Sequence, residues 1–188
     1  MQSRLLPFVT TITIALTGCG ANGAIQGLHH AATVAHEATN STYEVLDELR
    51  PDIMRQAREE VVSAYESALR EFAACRDSEA SECEDPGTPE EWAARWEEEV
   101  SAFYLAEDAV YTADSAIVSL SQALIRWQQA GQSRETPDYV HAACTTLAVA
   151  TRDLIAALER FGHDPPEVLS SVPSMITAAC GQIGGEDE

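Results

Sequence analysis

Three histidines crowded into eight residues are the side chains best suited to chemistry. His29 and His36 lie seven apart, so on a helix they share one face, with His30 and Glu37 beside them. Neutral imidazoles at that spacing bind Zn, Cu or Ni when a neighbouring helix adds a ligand. Asp138 and His141, three apart in a later helical stretch, are placed to add it. His29, His36 and His141 therefore form a candidate metal set, that of a periplasmic metal-binding bundle acting as sensor or buffer. The pattern contains no His-x-x-x-His pair, no Glu-x-x-His motif of the di-iron bundles and no Cys-x-x-Cys-His for covalent haem. The simpler reading, and the preferred one, makes these histidines partly exposed polar residues beside a core seam.

Catalytic motifs do not appear. The chain has no phosphate-cradling Gly loop and no Gly-x-Ser-x-Gly elbow. Its paired carboxylates, Glu59-Glu60 and Glu97 to Glu99, read as solvated faces, and Glu91, Arg95 and Glu99 make an i, i+4 charge ladder. Trp92 and Trp96, four apart, read either as a partner-binding ridge or as core. No enzyme is expected, and no cofactor beyond the lipid described below.

Charge narrows the partners. The chain has 11 basic residues, all arginine, against 31 acidic ones, for a net charge of −20. Such a surface repels nucleic acid and anionic headgroups, so neither DNA binding nor flat adsorption to a membrane is expected.

The address is written at the N-terminus. Arg4 precedes an apolar run from Leu5 to Leu16, too short for the ~20 residues that span a bilayer, and the run ends in Leu16-Thr17-Gly18-Cys19. These four residues resemble the lipobox of bacterial lipoproteins, in which the chain is cut before a cysteine that carries a diacylglyceryl group. The resemblance covers the first 20 or so residues only. It implies a signal peptide over 1–18, lipid on Cys19, a short tether over 19–23 and a cell-envelope location at the membrane. Gly20 stands where an Asp would signal inner-membrane retention, which tilts the expectation to the outer membrane. The alternative is ordinary secretion or a soluble periplasmic protein, with cleavage near Ala21-Asn22-Gly23. An envelope protein partner is expected; which one, and whether the chain self-associates, stays open at this point.

Cys75, Cys83, Cys144 and Cys180 remain, an even number in an oxidising compartment. Three pairings exist, and the helical reading selects among them.

That reading is all-α: a four- to five-helix bundle over 24–183, with a polar tail, expected to be disordered, over 184–188. From Ile25 apolar positions step by three and four through Leu28, Ala32, Ala35, Thr39, Thr42, Leu46, Leu49 and Ile53. Ser41 and Glu44 look like a capping box and Pro51 like a kink, so this stretch reads as two helices or one bent helix that resumes through Val61, Tyr65, Ala68, Leu69 and Phe72. Arg76 to Gly87 is a loop. Thr88-Pro89-Glu90-Glu91 opens the next helix, which carries Phe103, Ala106, Val110, Ala113, Ile117, Leu120, Leu124 and Trp127 and stops at Gly131. A second line on it, Tyr104, Tyr111, Val118 and Ile125, predicts contact with more than one neighbour. Thr136-Pro137-Asp138 starts a fourth stretch seamed by Val140, Leu147, Leu154 and Phe161. Asp164 to Glu167 starts the last, with Leu169, Val172 and Ile176 and a bend at Pro173.

Short connections make successive helices antiparallel. Cys144 and Cys180 then lie at one level of the last hairpin and pair, leaving Cys75 to pair with Cys83 across the acidic loop. Pairing the second stretch with the third about that loop places Phe72 near Trp92, Leu69 near Trp96 and Val62 near Phe103. The resulting hairpin projects as a stalk, preferred over a compact five-helix bundle folded at Pro51.

Overall fold

A computed structural model describes residues 21–78, 82–131 and 137–181. Cys19 and the lipobox, Thr136, Ile183 and the polar tail lie outside the described residues.

The protein is all-helical. Helix α1 (Ala21–Ala57) runs into a π-helical turn (Arg58–Val62) and then α2 (Ser63–Asp77) with right-handed helical dihedrals at both junctions, so the three form one continuous run. At ~1.5 Å per residue it extends on the order of 85 Å. Neither expected break occurs. Ser41 does not cap; Thr42 beside it is buried and its hydroxyl donates 2.8 Å to the Ala38 carbonyl inside the helix. Pro51 sits exposed within α1, which continues past it because Leu46 and Ala57 are buried on either side. The one irregularity is the π turn. Because α1 begins at Ala21, residues 21–23 of the expected tether belong to the helix.

Helix α3 (Pro89–Gln129) starts as its sequence predicts. The Thr88 side chain accepts from the Glu91 amide while the Glu91 carboxylate accepts from the Thr88 amide, and Pro89 occupies a first-turn position. Gly131, at φ 84°, turns the chain out of α3. Helix α4 (Asp138–Arg160) begins behind Pro137 without a side-chain cap, one residue later than its sequence suggests. Gly162, at φ 80°, turns it into α5 (Glu167–Gly181), which carries Pro173 buried inside it and continues to the Cys180 level.

The four long elements alternate in direction and pack in the cyclic order α1, α3, α4, α5. Leu28, Leu46, Phe103, Leu120, Leu124, Leu147, Leu154 and Ile176 are all buried in one continuous core. In α1, α3, α4 and α5 the buried faces follow the apolar seams read from the sequence. Two disulfides join Cys75 to Cys83 and Cys144 to Cys180, with Cα separations of 5.8 and 6.4 Å. The second ties α4 to α5 at the end where α1 begins. There Gly27 faces Ala179, and an added Cβ would stand 3.9 Å from it.

Away from the core, α2 buries no residue. With the first turns of α3 it forms a hairpin that stands clear of the bundle, so the stalk arrangement is the one adopted. Its register differs from the expected one by about two turns. Trp92 meets Tyr65, at 5.3 Å between rings, rather than Phe72, and Phe103 meets Arg50 and Phe161 rather than Val62. The loop causes this: Cys83 is bound to Cys75, so the chain folds back along α2 before α3 begins.

The line Tyr104, Tyr111, Val118 and Ile125 is exposed, at 48, 57, 47 and 49%. Helix α3 does contact two neighbours, α1 and α4, and buries small residues such as Ala116 and Ala123. The larger side chains are turned outward.

Candidate functional site

The histidines of α1 belong to a seam with α3. Four α1 residues recur every seven positions, His29, His36, Tyr43 and Arg50, and so line one edge of the helix. Each meets a residue of α3. His29 Nε2 lies 3.2 Å from the Gln128 amide, and His36 Nδ1 lies 3.4 Å from Asp114 while its Nε2 is 3.1 Å from Asn40. Tyr43 packs edge-on against Tyr111, 6.1 Å between centroids. Arg50 is ion-paired to Glu107 and lies 5.5 Å over the Phe103 ring.

This seam ties α1 to α3 at four levels. Among the described residues no three His, Cys, Asp or Glu side chains come together as a metal-holding group. His29, His36 and His141 are not gathered into one site: the first two point along the α1–α3 edge, and His141 sits on α4, the helix diagonal to α1. His30 joins no such group either. Seven-residue spacing did signal the edge, yet its continuation to Tyr43 and Arg50, and the matching Glu107, Asp114 and Gln128, went unread in the sequence because no motif marks them.

Arg50 and Glu107 carry the seam's strongest electrostatic link. The Glu107 side chain is 10% exposed and Arg50's 39%. Water reaches the guanidinium but hardly the carboxylate. Replacing Arg50 by methionine strands a nearly buried anion and is expected to cost about 1–3 kcal/mol. Adding Glu107→Leu should restore most of it, a coupling that a double-mutant cycle in urea measures directly.

Tyr111 gives the seam a pH signature. The Tyr43 phenol, by hydrogen bonding and then by its charge, pushes the Tyr111 hydroxyl above the ordinary tyrosine range, and Glu107 adds a smaller push. A raised value in the folded state contributes stability that is fully present below the unfolded-tyrosine value of about 10 and lost as pH rises through the Tyr111 value. Alkaline absorbance titration should therefore show one late tyrosine, which Tyr43→Phe returns toward the others.

At the far end the tryptophans serve the hairpin itself. Trp92 is half-buried, its indole donating 2.7 Å to the Pro86 carbonyl, with Tyr65 on one side and the Arg95 guanidinium 4.4 Å over its ring. Trp96 is half-buried one turn on. Outside them stand exposed Leu69 and a run of exposed carboxylates, Glu97 to Glu99. The tip is thus an acidic, disulfide-closed knuckle with an aromatic interior.

No protein-family model, curated protein or solved structure matches the chain. No described helix is long and apolar enough to cross a membrane.

Proposed function

We propose that the chain is a cell-envelope lipoprotein, held to the membrane through Cys19, that acts as a structural, protein-binding helical module without a catalytic centre. The observation that carries this reading is the stalk. Helix α2 bears Tyr65, Ala68, Leu69 and Phe72 at helical spacing, buries none of them fully and leaves Leu69 exposed, an apolar edge open to a partner. In the sequence Cys19 comes two residues before α1, and the continuous helical run that begins there extends on the order of 85 Å to the knuckle. An anchor at one end and an acidic knuckle at the other suit a module that reaches from a membrane, most readily the outer one, to an envelope protein with basic groups. The two disulfides support an oxidising compartment.

Native mass spectrometry of the protein extracted from its own membrane tests both parts. Acyl mass on Cys19 and a bound subunit are the expected result. Deleting residues 77–87 should release the subunit while the helical circular dichroism and the lipid remain. A folded deletion variant that keeps the subunit sinks the knuckle assignment, and an unlipidated mass sinks the anchor.

A further inference from the structure

The outward face of α3 is unlike the rest of this acidic molecule. From Ser115 to Ile125 the helix has no charged residue, and from Tyr139 to Thr151 α4 has no Asp, Glu, Lys or Arg, in a chain that is 22% charged. Two features lie side by side on that face. One is a ridge of Tyr111, Val118 and Ile125, seven residues apart and about half exposed, on the side toward α1, as the Tyr43 contact shows. The other is a shallow groove between α3 and α4, about 540 Å³, whose walls include Ala142, Thr146, Val149 and Asp153. Its walls also repeat every seven residues, from Ala142 to Val149 and from Thr146 to Asp153.

From this pairing we infer that the face is where two copies of the chain associate, the ridge of each lying in the groove of the other. A twofold axis parallel to the helices turns left into right without changing height, so it brings ridge onto groove; an axis across the helices would set ridge on ridge. Heights agree as well. Arg126 lies over Tyr139 and Thr112 lines the groove with Asp153, so Ile125 comes level with Ala142, Val118 with Thr146 and Val149, and Tyr111 with Asp153. The Tyr111 hydroxyl then gives up its Tyr43 partner and donates to the Asp153 carboxylate of the second copy. Charge argues for a copy over another protein. Two molecules at −20 repel least where charge is sparsest, and the one carboxylate of the groove wall, Asp153, faces the Tyr111 hydroxyl of the second copy. The pairing is parallel, so both N-termini leave the same end, and it does not depend on the proposed role of the knuckle.

Sedimentation equilibrium of the full mature protein in detergent, with a density-matched solvent, tests this. Twice the chain mass is expected, with association tightening as salt rises from about 50 to about 500 mM, because like charges are screened. Val118→Glu and, separately, Val149→Asp should weaken association on the order of 30-fold or more. Both positions are exposed, so the thermal midpoint of the monomer should hold, and Ser170→Glu on exposed α5 should leave the dimer intact. A monomer at every concentration and salt overturns the inference, as does a dimer indifferent to Val118→Glu and Val149→Asp.

Discussion

Trp127→Ala is expected to lower the unfolding free energy by about 3–5 kcal/mol, while Trp127→Phe should stay within about 1 kcal/mol of the parent. Trp127 is the largest fully buried side chain among the described residues, 1% exposed, at the end of α3 in the core it shares with Leu28 of α1, Val140 of α4 and Ile176 of α5. Alanine there removes an entire indole from a core that cannot collapse around the gap, because Cys144–Cys180 ties two of the surrounding helices. Phenylalanine acts differently. The indole nitrogen is buried with no hydrogen-bond partner among the described residues, so the parent already bears a desolvation cost of about 1–3 kcal/mol. Removing that N–H offsets the smaller ring's lost contacts. Urea melts of the two variants decide the matter: a phenylalanine loss as large as the alanine loss would mean that the indole N–H is satisfied.

Positions such as Trp127 were legible because helical periodicity marks every long seam. Phe103 to Trp127 on α3 and Ile25 to Leu46 on α1 are the buried faces the apolar spacing predicts, and Thr88 with Glu91 states the start of α3 in full. Pairing Cys144 with Cys180 followed from equal distance to one tight turn. What a sequence does not state is how a longer loop returns. Eleven residues separate α2 from α3, and the disulfide folds them back along α2, which moves Trp92 from Phe72 to Tyr65. Nor does spacing tell which of two adjacent apolar lines faces a neighbour. Ala116 and Ala123 are buried, whereas the larger Val118 and Ile125 lie outside. Pro51 leaves one helix rather than two: the lost hydrogen bond and ring clash cost about 3 kcal/mol, less than giving up the α1 packing on either side. His29, His36 and His141 are not gathered into one group, since seven-residue spacing puts side chains on one edge without saying that a third helix attends it.

The disulfides divide the molecule into parts that should respond unequally to reduction. Replacing Cys144 and Cys180 together by alanine is expected to cost about 3–4 kcal/mol, whereas the same change at Cys75 and Cys83 should leave the main unfolding transition nearly unmoved. Loop length alone does not produce such a contrast. The bridges close separations of 36 and 8 residues, for which the chain-entropy model gives about 4 and about 2.5 kcal/mol. Location decides it. Cys144 is buried in the core between α4 and α5, so the denatured chain it restrains is the one that competes with the whole bundle. Cys75 and Cys83 lie at a knuckle beyond a helix with no buried residue, where local opening is independent of the core. Losing that bridge should instead raise amide exchange from Tyr65 to Trp96 while exchange in the bundle keeps its rate. Equal losses of global stability from the two double variants would show that stalk and bundle unfold as one unit, and the stalk would then draw its rigidity from the core through the π turn.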